Sequence, residues 1–337
     1  MIRPALAALV LAACSSSSPP PTTPPTASAA LPVPAGGHGT VVTEQVASAA
    51  LGVTKSVVVY LPAGYAADPA RRWPVYYFLH GLGGDETNWT KHGELDKVAD
   101  RLGAHAIIVM PDGYNSFYTD SVTPMDYEAC MKDGTGLFIP NQPPKETCVK
   151  TPRYETWITK DLVAWTDSTY RTIAKRESRA IAGLSMGGFG ALQLGLRHKD
   201  LYVAAVSHSG VDALLYAGPF PYVAGKVELV DKVPAEAGDM FVKWLKVLFG
   251  NDIANWRAHD PATLVGDLKP GELALYMDCG TEDVFHLNNG MQYLHDLLAA
   301  KHIDHAYFMG PGRHDFSFWT PRLPESLAFL AAHVASR

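Results

Sequence analysis

The sequence predicts one α/β domain with a mostly parallel central sheet, helices on its flanks and lid-like insertions. From Thr40 onward, short apolar runs rich in Val, Ile, Tyr and Phe alternate with amphipathic stretches, and this strand–helix alternation is typical of a parallel sheet. Several apolar runs are continuous, which is expected when strands are buried on both faces. The chain has 337 residues and no internal repeat, so one large domain is the simplest organisation.

The predicted elements follow one another along most of the chain. The apolar runs predict strands at Val57–Leu61, Val75–Leu79, Ile107–Met110, Ala180–Ala182, Ala204–Ser207, Leu273–Asp278 and Ala306–Met309. The amphipathic patterns predict helices at Leu95–Leu102, Tyr154–Thr166, Gly188–Arg197, Asn289–Lys301 and Pro324–Val334. Two longer segments, 121–152 and 211–261, interrupt this rhythm, and long insertions in compact domains often serve as lids or binding loops.

Composition excludes several classes of protein. Hydrophobic residues make up 47% of the chain, which is enough for a large core and excludes global disorder. The net charge of −6 argues against a dedicated nucleic-acid binder. Four cysteines in the whole chain are too few for a disulfide scaffold.

The amino-terminal segment is distinctive because no charged residue occurs between Arg3 and Glu44. Residues 4–13 form a small apolar run with about half the ~20 residues needed to span a bilayer, as in the apolar region of a signal peptide. The run ends in Leu11-Ala12-Ala13-Cys14, which resembles the bacterial lipoprotein box. That resemblance implies that 1–13 is a lipoprotein signal peptide and that Cys14 is acylated; an ordinary signal peptide is the alternative.

Segment 14–36 is predicted to be a Ser/Thr/Pro-rich tether. Between Ser15 and Pro34, 15 of 20 residues are Ser, Thr or Pro, and such a composition cannot bury enough apolar surface to fold. Residues 37–337 are then the folded domain. We expect an exported protein, held on the bacterial cell envelope through its lipid anchor alone.

The remaining cysteines predict a disulfide. Cys130 and Cys148 lie 18 positions apart in the first insertion, and in an exported protein a bridge between them is the natural interpretation. It would stabilise the fold by about 3 kcal/mol. A metal site fits less well because no CxxC-type spacing exists. Cys279 ends a predicted strand and is expected to be a buried, inert thiol.

A candidate nucleophile lies in Gly183-Leu184-Ser185-Met186-Gly187, a G-x-S-x-G sequence. A short apolar strand precedes it and a helix of small residues follows, which is the context that a serine nucleophile on a tight turn requires. Gly183 and Gly187 remove Cβ atoms that would clash there. The alternatives are a glycine-rich turn with a passive serine and a dinucleotide site, but the latter's G-x-G-x-x-G is absent.

A serine nucleophile needs a base, and the base needs an acid that orients it. Asp283 and His314 lie in loops that follow the last two predicted strands, in the chain order expected after Ser185. The carboxyl ends of parallel strands meet at one sheet edge, so these residues are the predicted acid and base. The competing acids are Asp278 and Glu282, and the competing histidines are His198, His208, His302 and His305.

Two backbone N–H groups are predicted to bind the oxyanion. Met186 follows the nucleophile, and Leu82 lies in the glycine-rich loop after the strand Val75–Leu79. His80 begins that loop, and we expect it to anchor the loop and to take no part in the chemistry.

Six motifs carry a specific resemblance to a family. They are HGLGGDETNW, PDGYNSFYTDS, YETWITKDL, AGLSMGGFGAL, DCGTEDVF and PGRHDFSFW, in this order over about residues 53–334. The set resembles the esterase D / feruloyl-esterase-like branch of the α/β hydrolases, which includes tributyrin-type esterases, S-formylglutathione hydrolases, carbohydrate esterases and antigen 85 mycolyltransferases. The resemblance implies an α/β-hydrolase fold, the five site residues inferred above, and no metal or organic cofactor. Segment 121–152 is longer than is usual in that branch.

The predicted function is hydrolysis of carboxylic esters through an acyl-enzyme. The substrate is expected to be a small-molecule or polysaccharide-linked ester of short acyl, feruloyl or acetyl-sugar type. Acyl transfer to an envelope sugar is the first alternative, and a non-catalytic binding lipoprotein is the second. Candidate pocket residues, each of which has a core role as its alternative, are Trp89, Phe117, Tyr118, His208 and Trp319.

Overall fold

The computed structural model describes residues 37–134, 143–236 and 239–336. The predicted signal peptide, Cys14 and the tether lie outside these residues. A central sheet of eight strands organises the described part of the chain, and helices flank it as the sequence predicts. Within those ranges, no helix is both long enough and apolar enough to cross a membrane.

The central sheet is mostly parallel. Its strands, together with a separate short ribbon (β7 and β8), are β1 (Thr40–Ser48), β2 (Val53–Leu61), β3 (Val75–Leu79), β4 (Ile107–Pro111), β5 (Arg179–Leu184), β6 (Ala204–His208), β7 (Tyr216–Gly218), β8 (Glu228–Leu229), β9 (Ala274–Gly280) and β10 (His305–Gly310). The spatial order is β1-β2-β4-β3-β5-β6-β9-β10. Only the β1–β2 and β2–β4 pairs are antiparallel in this sheet. The other six strands run parallel to one another, so their carboxyl ends all lie at one edge of the sheet.

The continuous apolar runs are explained by burial on two faces. Every residue of β3 is buried. Val75, Tyr77 and Leu79 join one hydrophobic cluster, and Tyr76 and Phe78 join the cluster on the opposite face. This split follows from the alternation of side chains along a strand, and it puts the sheet between two cores.

The helices cover these two faces. They are α1 (Asn88–Lys91), α2 (Leu95–Leu102), α3 (Tyr127–Asp133), α4 (Pro144–Thr147), α5 (Tyr154–Thr156), α6 (Val163–Thr169), α7 (Met186–Arg197), α8 (Met240–Phe249), α9 (Ile253–Arg257), α10 (Pro261–Leu264), α11 (Leu287–Ala300) and α12 (Phe316–His333). A π-helical stretch, Trp157–Leu162, joins α5 to α6, and 3₁₀ turns lie at Arg176–Ser178 and Val265–Asp267.

Several boundaries differ from the sequence prediction. The prediction omits β1, because this edge strand is largely exposed and carries only a weak apolar pattern. It begins the last helix at Pro324, as proline favours a first turn. The structure begins α12 at Phe316 instead, where the Asp315 side chain caps it by accepting from the Ser317 N–H at 2.8 Å.

The two insertions are built differently. In 121–152, Cys130 and Cys148 are bonded, with an S–S distance of 1.99 Å, and the Lys150 N–H donates to the Leu51 carbonyl. In 211–261, the Trp244 indole on α8 donates to the Asn115 carbonyl at 2.9 Å. The first insertion is therefore fastened to the β1–β2 turn, and the second to the loop that follows β4.

Candidate active site

Ser185 lies on the tight turn between β5 and α7. Its backbone has φ 54° and ψ −119°. This conformation is energetically unfavourable for any residue other than glycine, and such strained conformations recur at functional sites. The turn brings the start of α7 against β3 and β5. An added Cβ on Gly183 would lie 2.2 Å from the Gly187 carbonyl oxygen, and one on Gly187 would lie 2.3 Å from the Leu79 carbonyl oxygen. Both glycines of the G-x-S-x-G sequence are thus required by close backbone approach.

A continuous hydrogen-bonded array joins Ser185 to His314 and Asp283. Ser185 Oγ lies 2.8 Å from His314 Nε2, and His314 Nδ1 lies 2.7 Å from Asp283 Oδ2. A carboxylate accepts, so the Nδ1 proton points to Asp283 and leaves Nε2 free to accept from the serine hydroxyl. This geometry allows the imidazole to take the hydroxyl proton as a nucleophile forms.

Neighbouring rings and the backbone hold the base and the acid in place. Phe285 packs edge-on against the His314 ring at 4.8 Å, and Trp319 does so at 5.0 Å. The Trp319 indole N–H is fixed by the Ser209 hydroxyl at 3.0 Å. Asp283 Oδ1 accepts from the Phe285 N–H at 2.8 Å. The imidazole is therefore oriented by two rings as well as by the carboxylate.

The competing acids lie elsewhere. Asp278 is on β9 and fully buried, where it accepts from His208 Nδ1 and from the Tyr276 hydroxyl, each at 2.9 Å. Glu282 is exposed, with its only ion pair to Arg313 among the described residues.

The competing histidines also lie apart from Ser185. His198 is the residue at the carboxyl end of α7 and lies 2.8 Å from Glu155. His305 lies 2.7 Å from His295, and His302 is exposed.

The two predicted oxyanion donors line one cavity with Ser185. Met186 is the first residue of α7, so its N–H lacks an intrahelical acceptor. Leu82 is in a turn that the Gly84 N–H closes on the Gly81 carbonyl at 3.0 Å, with Gly83 at φ 78°. Across the described ranges, neither the Leu82 nor the Met186 N–H has a hydrogen-bond acceptor. Both donors are thus available to a ligand.

His80 anchors this turn through hydrogen bonds of its imidazole ring. Its Nε2 accepts from the Gly113 N–H at 2.9 Å, and its Nδ1 lies 2.8 Å from the Gly81 carbonyl oxygen. The Tyr118 hydroxyl donates to the His80 carbonyl at 2.9 Å. His80 is buried and connects two loops, which agrees with the anchoring role predicted for it.

Two of the five predicted pocket residues line the cavity and three do not. The cavity has a volume of about 430 Å³, and Phe117 and Trp319 form part of its wall. Trp89 is instead turned into the core, with its indole N–H on the Leu79 carbonyl at 3.1 Å. Tyr118 is held by His80, and His208 by Asp278. The pocket prediction is therefore wrong for Trp89, Tyr118 and His208, because the side chain of each forms a hydrogen bond with a buried partner away from the cavity.

Comparison with known proteins places this geometry in a family. A family model described as "Putative esterase" matches residues 48–330. The chain belongs to this esterase family. Among solved structures, a ferulic acid esterase superposes with a TM-score of 0.63 at 22% identity, covering 88% of this chain and 99% of the other. At that identity the likeness shows the fold, which is that of the α/β hydrolases.

Curated relatives of this chain have several activities. Esterase Rv1288 of Mycobacterium tuberculosis is 32% identical over 50% of this chain, which spans only 31% of that protein. An acetyl esterase of Caldicellulosiruptor saccharolyticus is 26% identical, covering 76% of this chain and 82% of its own length. A diacylglycerol acyltransferase/mycolyltransferase Ag85A of Mycobacterium gordonae is 26% identical, covering 82% and 75%.

The sequence did not predict most of the cavity wall. Residues of the second insertion supply much of it: Val211 to Leu214, Tyr216, Phe220 and Phe241. The signal for them was an insertion that begins directly after a strand, but the sequence does not show which apolar side chains turn inward. Two further wall residues, Phe285 and His286, lie two and three positions after Asp283. Within the described ranges, no group of three or more His, Cys, Asp or Glu residues is arranged to hold a metal ion.

Proposed function

We propose that this protein is a serine carboxylic-ester hydrolase in which Ser185, His314 and Asp283 form the catalytic triad. The observation that carries the proposal is the unbroken chain of short hydrogen bonds from Ser185 to Asp283 beside a cavity of about 430 Å³. The cavity wall is mostly apolar and aromatic, as is usual for pockets that bind small organic ligands.

The reaction proceeds through an acyl-enzyme. Ser185 Oγ attacks the ester carbonyl carbon as His314 Nε2 takes its proton, and Asp283 stabilises the imidazolium. The Leu82 and Met186 N–H groups bind the oxyanion. The ester C–O bond then breaks, and His314 gives the proton to the departing alcohol. Water repeats the sequence on the acyl-serine, which releases the acid and restores the Ser185 hydroxyl.

The natural substrate is proposed to be an ester outside the cytoplasm. The support is the sequence of residues 1–36, which resembles a lipoprotein signal with a tether. Short acyl, feruloyl and acetyl-sugar esters are the substrate classes of the proposal. A panel of such esters, together with mass spectrometry of the mature amino terminus for acylated Cys14, tests this assignment.

The decisive experiment compares Ser185→Ala with Ser168→Ala, a control at an exposed serine of α6. We expect Ser185→Ala to keep its thermal unfolding midpoint and to reduce turnover of p-nitrophenyl butyrate by roughly 10³-fold or more. Ser168→Ala should match the wild type. A fluorophosphonate probe should label Ser185 in the wild type. Undiminished turnover in Ser185→Ala, or labelling at another residue, would overturn the proposal.

Acyl transfer is the second candidate, favoured by the mycolyltransferase relative. It uses the same triad, with a sugar hydroxyl replacing water in the second step. Turnover of p-nitrophenyl butyrate with and without glucose as acceptor separates the two. An acylated sugar as the main product would establish transfer, and free acid in both reactions would establish hydrolysis.

A further inference from the structure

Asp212 is an unusual residue in the wall of the catalytic cavity. It follows β6, its side chain is 1% exposed, and it lies on the same cavity as Ser185 and His314. The rest of the wall is largely apolar, and Asp212 is the one Asp or Glu among the described residues that line it. An acid there is costly to bury unless its oxygens are hydrogen-bonded.

Only half of this carboxyl group is satisfied within the protein. Oδ1 accepts from the Ser207 hydroxyl at 2.6 Å. Oδ2 is buried and has no hydrogen-bond partner anywhere in the described ranges. Buried polar atoms are nearly always paired in native proteins, so an orphan at a ligand cavity indicates a partner that arrives with the ligand.

The surroundings fix the carboxyl group in this position. Gly210 and Gly188 leave room for it: a Cβ on Gly210 would lie 2.4 Å from Asp212 Oδ1, and one on Gly188 would lie 2.6 Å from the Ser207 Oγ. Rotation to satisfy Oδ2 would break the bond to Ser207. The group is thus held rigid before a ligand binds, which lowers the entropic cost of recognition.

We propose that Asp212 recognises a hydroxyl group of the ester substrate, through the oxygen that the protein leaves unpaired. The inference rests on the proposed function, since it concerns the same cavity. It restricts the substrate class to esters with a hydroxyl near the ester bond, on either the acyl or the alcohol side. Sites built to bind a hydroxyl discriminate strongly against analogues that lack it, because the buried group is then left unpaired.

The carboxyl group suits this role in both of its protonation states. Burial, together with the nearby charge of Asp278, raises the pKa of Asp212 to about 7, against the opposing effect of the Ser207 hydrogen bond. Ionised, Oδ2 accepts from the hydroxyl hydrogen; protonated, it donates to the hydroxyl oxygen.

The test uses two matched pairs of esters, so that the two positions of the hydroxyl are separated. For the acyl side, p-nitrophenyl 3-hydroxybutyrate is compared with p-nitrophenyl butyrate; for the alcohol side, 2-hydroxyethyl butyrate is compared with ethyl butyrate. We expect the wild type to favour the hydroxylated ester in at least one pair by about tenfold in kcat/KM. Asp212→Ala should abolish that preference and bring the two esters of the pair to within about threefold of each other in kcat/KM, because the hydroxyl then has no carboxyl partner.

Two further variants protect the interpretation. Asp212→Asn keeps the acceptor for Ser207 and nearly the same volume, so it serves if Asp212→Ala does not fold; it should lose at least about half of the preference on a logarithmic scale, as it loses the charge-assisted bond. Asn88→Ala removes another polar side chain of the cavity wall and should keep the preference.

The outcomes are distinguishable. Hydrolysis of all four esters without discrimination, or a preference that survives both Asp212 substitutions or is lost in Asn88→Ala, would overturn this inference and leave the esterase proposal intact. Absence of any ester turnover in the wild type would instead contradict the proposed function itself.

Discussion

Backbone strain at single residues is concentrated around the cavity. Of the eight non-glycine residues with positive φ in the described ranges, Tyr114, Phe117 and Tyr118 follow β4, Ser185 follows β5, Ser209 follows β6 and His286 follows β9. Each lies in a loop beyond the carboxyl end of a strand. Such conformations persist only where the surroundings enforce them, and here the enforcing contacts are the glycine approaches and the ring packing that orient the site.

Two buried aspartates, Asp278 on β9 and Asp283 in the loop after it, are expected to have different roles, and substitutions at each test this. Asp283→Asn should leave the fold intact and lower kcat by roughly 10³- to 10⁴-fold, because the imidazole loses its orienting carboxylate. Asp278→Ala should lower the free energy of unfolding by about 3–5 kcal/mol, since it leaves His208 and Arg322 with a broken buried pair. Urea unfolding and p-nitrophenyl butyrate kinetics on both variants provide the two readouts.

The assignment has a clear opposite result. A folded Asp278→Ala protein that loses as much turnover as Asp283→Asn would mean that Asp278, and not Asp283, supports the base.

Single residues were predictable where chain order and strand position determine them. Ser185, Asp283 and His314 each lie within four residues of the carboxyl end of a strand. Because the carboxyl ends of parallel strands meet at one edge of the sheet, strand order alone predicts that the three residues lie close together. Pocket residues were less predictable because a motif gives no side-chain direction. Trp89 and Trp319 both belong to family-like motifs, but Trp89 is turned onto Phe78 in the core, whereas Trp319 faces the cavity.

At the scale of elements, the strand–turn–helix unit of β5 and α7 depends on a glycine at position 187, where the backbone of the helix approaches the backbone at the end of β3. Gly187→Ala puts a Cβ within 2.6 Å of two backbone oxygens, those of Leu79 and His80. We expect it to reduce both stability and turnover, because backbone cannot give way as a flexible side chain can. Gly290→Ala in α11 is the matched control, since its nearest neighbour would be 3.5 Å away.

The control should shift stability in the opposite direction. Alanine favours a helix interior by roughly 0.5–1 kcal/mol over glycine, so Gly290→Ala should raise the free energy of unfolding in urea. Equal destabilisation by the two substitutions would show that close approach at Gly187 is not the cause.

Elements themselves were predicted best where burial is complete. The runs that became β3, β4 and β6 are buried at every position, so their hydrophobicity alone identifies them. The edge strand β1 and the short ribbon β7–β8 were missed, because their pairing depends on neighbours that the local sequence does not reveal. The early start of α12 was missed because its cap, Asp315, directly follows the predicted base, His314, in a loop rich in Gly and Pro.

At the scale of the whole molecule, buried acids give opposing contributions to the pH dependence of stability. Partial burial raises the pKa of Asp112, but Lys55 at 2.5 Å and His80 outweigh it and hold the pKa well below its usual range. A lowered folded-state pKa stabilises the fold above the pKa of the unfolded chain, about 4, and this contribution is lost as the pH falls further. Acid unfolding is therefore expected below about pH 4.

Asp212 acts in the opposite sense, which gives a prediction for the folded protein as a whole. Its folded-state pKa of about 7 exceeds the unfolded value of about 3.9. Between these two pH values the folded state holds a proton that the unfolded chain has released, so the free energy of unfolding falls as the pH rises, by an amount on the order of a few kcal/mol.

Asp212→Asn has no proton to lose and removes this slope. Urea unfolding of both proteins at pH 4.5, 6 and 8 should show the variant gaining on the wild type with each step up to about pH 7 and holding that gain above it. The charged groups near Asp212, chiefly Asp278 with its partner His208 and the hydrogen-bonded pair Asp283 and His314, are the same in both proteins, so the difference isolates Asp212. A difference that stays constant across the three pH values would mean that Asp212 is ionised in the fold throughout.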